Sequence, residues 1–225
     1  ITIPKSVTKI GMSAFNSTNL YKDPSNWKDG VLYISDCLIE VKSEGSTDLV
    51  IEEGTRLIND NAITPRYNIT SVHIPNSVTI IGNNSFYYLQ NLTSLIIPTS
   101  VETIGKEAFG NCYYLKNLVI PNSVKKIGDK AFADCSGLEY ILSLIKEPAD
   151  VELGSDVFYD VDKDRCLLDI TKGCTDKYND AEQWKDFDMI SEMSFVFESN
   201  GILYYEMVSE SKQNKAMSTA TMPQV

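Results

Sequence analysis

One frame, Ile-Pro-x-Ser-Val-x-x-Ile-Gly-x-x-Ala/Ser-Phe, recurs along this chain. It runs from Ile3-Pro4 to Phe15, Ile74-Pro75 to Phe86, Ile97-Pro98 to Phe109 and Ile120-Pro121 to Phe132. The last three copies succeed one another at 23 residues, and a degenerate copy from Ile51 to Ile63 keeps that register. A period of this size marks a solenoid, because each repeat buries its apolar face only against its neighbours. Most residues that look special are therefore rung positions rather than chemistry. The reading is an α/β solenoid, strand-dominated, with a C-terminal capping helix.

One turn can be laid out from Leu92 to Cys112. Leu95-Ile96-Ile97 suits a strand whose alternate residues point inward. Pro98 ends the pairing, since it has no N–H to give. Val101 and Ile104 start a second short extended segment. Lys106 to Phe109 reads as a helical turn that places Ala108 and Phe109 inside. Gly11, Gly82, Gly105 and Gly128 share one column, with Asn59 in the degenerate copy. Glycine and asparagine both tolerate φ > 0, so that column is expected to be left-handed.

The register breaks in two places. Phe15 to Ile63 spans two turns plus two residues. Within it, Val31 to Ile34 and Cys37 to Val41 flank Ser35-Asp36 as a hairpin, after a polar loop, 16–28, that carries Pro24 and Trp27. Three residues are inserted between Phe132 and Phe158. Cys166 to Ile170 reads as the last edge strand. Thr175 is placed as the N-cap of a short helix reaching Trp184. Trp184 and Phe187 then cover the open end. The solenoid is thus assigned to 1–192, with a variant turn at 16–50 and a cap at 166–192. Residues 193–225 form a tail with an Asn200-Gly201 hairpin signal, read as the start of a further module. The chain begins inside a repeat, as an excised fragment would.

The net charge of −11 argues against nucleic acid, whose phosphates need a basic face. No run of 18 apolar residues is present, so no membrane-spanning segment is expected. The five cysteines fit no complete disulfide framework. Cys112 and Cys135 share a column on adjacent rungs, about 4.8 Å apart. A bridge between them is conceivable, but two packed thiols are the plainer reading. His73 is the single histidine, which leaves no His-based triad or multi-His metal site. Asp160-x-Asp162-x-Asp164 opens like a calcium loop. Arg165 and Thr171 stand where an EF-hand needs Gly and Glu, so a solvated turn is the default. No cofactor is indicated.

The turn Leu-x-x-Leu-x-Ile-Pro-x-Ser-Val-x-x-Ile-Gly-x-x-Ala-Phe-x-x-Cys resembles the BspA-like leucine-rich repeat family. Leu168 to Gly173 looks like that family's terminal strand and turn. Tyr178 with Trp184-Lys185-Asp186-Phe187 looks like its capping helix. The resemblance covers about residues 1 to 192. It implies a right-handed leucine-rich repeat array from a secreted or surface-anchored bacterial protein, non-enzymatic and associated with adhesion. It brings no catalytic residues.

Two candidate surfaces remain once the architecture is subtracted. Solenoids present extended concave faces, and the strand face would expose Ser94, Asn117 and Tyr140 beside a stripe of His73, Ile96, Val119 and Leu142. A contiguous exposed apolar stripe marks an interaction site, although β-branched residues also simply suit strands. The second surface is a corner of tyrosines, Tyr67, Tyr87, Tyr88, Tyr113 and Tyr114, a residue type enriched at binding hot spots. Lateral packing is the competing explanation. The expected partner is an extracellular or host protein. The alternatives are a glycan and a ligand-free spacer within a larger surface protein.

Overall fold

The computed structural model describes residues 1–42, 47–63 and 68–193, and the backbone of the strands Phe195–Ser199 and Ile202–Glu206. Three hydrogen-bonded faces run along the stack. The first is a parallel sheet of Ser94–Ile96, Asn117–Ile120, Tyr140–Ser143, Leu167–Thr171 and Met189–Met193. Its register is in phase: Ser94 faces Asn117, Asn117 faces Tyr140, Tyr140 faces Leu167 and Leu167 faces Met189. Two earlier rungs, Asp48–Val50 and Ser71–His73, form a separate parallel pair.

The second face carries two-residue rungs, Leu57–Ile58, Ile80–Ile81, Thr103–Ile104, Lys126–Ile127 and Glu152–Leu153. The expected hairpin, Val31–Ile34 with Cys37–Val41, joins this sheet, with Trp27–Lys28 antiparallel at its edge. Cys37–Val41 pairs with Leu57–Ile58 and so occupies the slot that the first repeat would otherwise fill. Ile10 and Phe15 accordingly pack in a separate cluster with Leu32, Ile34 and Ile39.

The third face is the corner, and it is not a helical turn. Alternate amides donate to the next coil: Asn84 to the Lys106 carbonyl (2.9 Å), Phe86 to Ala108 (2.8 Å) and Tyr88 to Gly110 (2.9 Å). Aiming the N–H groups this way requires left-handed residues. They stack as Asn61, Asn84, Glu107, Lys130 and Asp156, and again as Tyr88, Asn111, Asp134 and Asp160, all at φ between 50° and 67°.

The glycine column has a different cause from the one expected. Gly82, Gly105 and Gly128 do not have positive φ; the left-handed residue lies two positions further on. A Cβ on Gly105 would sit 2.6 Å from the Gly82 carbonyl carbon and the Asn83 nitrogen. On Gly128 and Gly154 it would meet backbone at 2.5 and 2.3 Å. Glycine is kept because successive coils touch backbone to backbone. Asn59 stands in this column where the rung before it is the hairpin strand, and its Nδ2 donates to the Ile39 carbonyl (3.2 Å).

The column interiors are apolar and closed to solvent. Leu92, Leu95, Ile97, Val101, Ile104, Ala108 and Phe109 of one turn are all buried. Phe86, Phe109, Phe132 and Phe158 stack with centroids 4.9, 5.6 and 5.9 Å apart and rings parallel within 10°. The five cysteines are free and buried. Cys112 and Cys135 donate to the carbonyls of Phe86 and Phe109, at 3.5 and 3.2 Å. Burial pushes the Cys166 thiol up to about 12, which keeps it an inert thiol rather than a thiolate.

The cap differs in detail from expectation. The helix is Thr175–Asp180, with Thr175 inside it and Cys174 as N-cap. Met189–Met193 pairs beyond Leu167–Thr171, so Cys166 to Ile170 is not the last strand. That extra strand supplies the missing cap: Glu192 Oε1 accepts from Thr175 Oγ1 (2.6 Å) and Thr175 N (3.1 Å). Trp184 closes the stack edge-on against Phe158 (5.0 Å) and Tyr178 (5.5 Å). Tyr178 Oη donates to the Ile145 carbonyl (2.9 Å) and so accepts from the buried Ser143 hydroxyl (2.6 Å).

Two outcomes follow. Phe109→Ala removes the ring between two stacked neighbours and should cost about 3–5 kcal/mol in a urea melt; an unchanged midpoint would contradict the stack. The Glu192 carboxyl is held below its ordinary 4.5 by the Thr175 hydroxyl first, then by backbone N–H groups from Gly173 onward. A depressed folded value contributes stability above the unfolded pKa and loses it as pH falls through the folded one. Wild-type stability should therefore fall more steeply than that of Glu192→Gln between about pH 5 and 3. Parallel curves would exclude the capping role.

Candidate interaction surface

Strand alternation sends every second residue outward, and one outward column runs in register along the rungs. Val50 faces His73, Ile96 faces Val119 and Val119 faces Leu142; Leu142 faces Asp169 and Asp169 faces Ser191. The column changes character along its length. Val50 is 65% and Ile96 47% exposed, with His73 half-buried. Val119 and Leu142 are 3% and 0% exposed.

The expected exposed stripe is thus broken after Ile96. Val119 and Leu142 point away from the main core yet form a second small cluster with Leu144 and Met193, flanked by Tyr140. Thr171 faces Met193, so the final strand brings that methionine to the same end of the face as Leu144. Asp169, 2% exposed, closes this end in polar fashion. Its carboxylate accepts from Tyr140 Oη (3.0 Å) and from the Ser191 hydroxyl. Ser94 and Asn117, cross-strand neighbours, are half-buried on the adjoining column. Val50 lies one 23-residue step before His73, so the repeat's own register points to it.

Four of the five tyrosines lie among the described residues; Tyr67 lies outside them. Tyr87 and Tyr88 stack at 6.0 Å, and Tyr88 meets Tyr113 edge-on at 5.9 Å. Tyr113 Oη donates to Asn111 Oδ1 (2.6 Å). Burial raises the Tyr87 hydroxyl above its ordinary value. These three are half-buried, as lateral packing demands, while Tyr114 is 61% exposed. Tyr88 holds φ +67° where the column otherwise carries Asn111, Asp134 and Asp160. The corner's amide geometry demands that backbone whatever side chain occupies it, as Tyr88 N–H donating to the Gly110 carbonyl (2.9 Å) shows.

The three aspartates of the calcium-like run do not converge. Asp160 lines an open cleft of about 480 Å³ with Tyr159, Lys163, Glu182 and Asp186. Asp162 turns towards Arg165, 4.0 Å away, and Asp164 is exposed. Among the described residues no group of three or more His, Cys, Asp or Glu side chains is placed to hold a metal ion. No helix among them is long and apolar enough to cross a membrane.

Comparison with known proteins places this geometry. The family model described as BspA type leucine rich repeat region matches in six copies, over residues 1–39 and 41–163. Among solved structures, a leucine-rich repeat protein of T. pallidum is 28% identical over 43% of this chain and 45% of its own, with a TM-score of 0.41. A leucine rich cell surface protein of Faecalibacterium prausnitzii is 24% identical over 64% of this chain and 47% of its own (TM-score 0.46). A leucine-rich repeat protein of Bacteroides ovatus is 21% identical over 76% and 48% (TM-score 0.47). This chain spans about half the length of each of these three. No curated protein matches it. With well over half of its residues under the family model and its columns in phase, the chain belongs to the BspA-type leucine-rich repeat family.

Proposed function

We propose that this chain is a non-enzymatic binding scaffold of a bacterial surface or secreted protein, and that its outward strand face holds an extracellular protein partner in an adhesin-like role. The supporting observation is the open end of the outward column. Val50 and Ile96 are exposed large apolar residues on either side of His73, on a face whose other end is covered. Exposed apolar side chains grouped on one face, with polar neighbours such as Ser71 and Ser94, have the character of an interaction surface. Tyr114 and the half-buried tyrosines supply a second contact zone with polar tips.

A glycan is the second reading. The exposed Tyr114 ring, next in the chain to Tyr113 of the Tyr88–Tyr113 pair, is the observation that favours it, since flat aromatic faces suit sugar rings.

The test uses the chain immobilised against a panel of purified extracellular matrix proteins and, in parallel, a glycan array. Val50→Asp combined with Ile96→Asp should weaken protein binding by at least tenfold, about 1.4 kcal/mol. The melt should stay unchanged, because both side chains are exposed. Tyr114→Ala should abolish array signals if a sugar is bound. Undiminished protein binding by the double variant would refute the strand-face reading.

A further inference from the structure

The variant turn builds a feature that the repeat does not contain. Tyr21 lies on the short helix Asn19–Lys22, fixed by Thr18 Oγ1 accepting its N–H (3.2 Å). Trp27 follows the turn Pro24–Asn26, and its Nε1 donates to the Tyr21 carbonyl (2.8 Å). The two rings meet at 79° with centroids 5.2 Å apart, forming two walls of a corner. Both pack against the Ile10–Leu32–Ile39 cluster, which fixes their backs.

The floor comes from the strand Cys37–Val41. Alternation puts Glu40 and Lys42 on one side of the chain. Glu40 Oε1 accepts from Tyr21 Oη (3.1 Å). Lys42 Nζ then lies 4.0 Å from both ring centroids. Its distance to Glu40 Oε1 is 4.0 Å, too long for a hydrogen bond. The ammonium is thus held by two π-faces and one carboxylate at Coulomb distance. Perpendicular aromatic walls with a nearby anion form the arrangement that recognises alkylated ammonium groups, which carry charge without needing acceptors. A primary ammonium is the poorer occupant, because its N–H donors want acceptors that neither ring supplies. Its stem is flexible and the Lys42 side chain is 45% exposed, so it can leave.

We propose that Tyr21, Trp27 and Glu40 form a binding site for a quaternary or multiply methylated ammonium group, closed in the free protein by the chain's own Lys42. The occupant competes with the ligand, so removing it unmasks the site. This site is independent of the strand face, and its failure would leave that reading untouched.

The experiment follows the two indole N–H resonances of the full chain by NMR. Trp184 is fully buried and Trp27 half-buried, so the Trp27 signal, assigned by its loss in Trp27→Phe, reports on the corner. Tetramethylammonium should shift it, with affinity at least about tenfold tighter in Lys42→Ala than in the wild type. Lys42→Ala combined with Trp27→Ala should not bind, as judged by calorimetry. Phosphocholine and free trimethyl-lysine separate a headgroup from a modified side chain as the source of the cation. The neutral isostere 3,3-dimethylbutan-1-ol should give no comparable shift. If Lys42→Ala melts early, Lys42→Gln serves in its place. A folded Lys42 variant that ignores every ammonium probe would overturn the proposal. So would an equal response to the neutral isostere.

Discussion

The stack depends on how closely two coils can approach at the glycine corner. There the backbone of one turn lies against that of the turn before it, so near that a single methyl group would overlap carbonyl and amide atoms. That approach brings the two-residue rungs into hydrogen-bonding register, and it lets alternate amides of the left-handed corner reach the next coil. It also sets the spacing at which the phenylalanine rings stack and the motif serines bond backward. Ser100 and Ser123 donate to the Val78 and Val101 carbonyls of the preceding turn, at 2.6 and 2.7 Å. Polar and apolar columns alike inherit their geometry from one contact.

Departures from the repeat occur where the stack ends and where the proposed binding surfaces lie. At one end, Phe158 receives Trp184 and Phe187 edge-on instead of another parallel ring, which ends the column without exposing an aromatic face. At the other, the hairpin takes a rung's place, and the loop before it is free to build the Tyr21–Trp27 corner. On the strand face, Asp169 replaces the apolar outward residue, and its bonds to Tyr140 and Ser191 close that end of the surface.

Columns were legible in the sequence because a repeated residue at a fixed step can be read as one environment. Phe86, Phe109 and Phe132, 23 residues apart, are one such environment. The cause behind a column was less legible. Glycine serves both positive φ and close approach, and its sequence position does not distinguish them; only Gly105's neighbours did. The last strand of the parallel sheet was missed because Met-Ile-Ser-Glu-Met offers a single inward aliphatic, Ile190, while Glu192 does its work on a helix seventeen residues earlier in the chain. Val119 and Leu142 were misplaced because alternation gives direction, not cover, and their cover comes from Leu144 and Met193. The aromatic corner was invisible because Lys42 reaches rings separated from it by a hairpin.

The most direct test of the glycine contact compares Gly105→Ala with Gly11→Ala. The two positions are equivalent in the motif, but an added Cβ meets backbone at 2.6 Å in the first and nothing within 4 Å in the second. Urea melts should show Gly105→Ala destabilised by about 1–3 kcal/mol or more and Gly11→Ala nearly unaffected. Equal effects at the two sites would contradict the account, since they would show that the motif's glycine answers to something other than the approach of neighbouring coils.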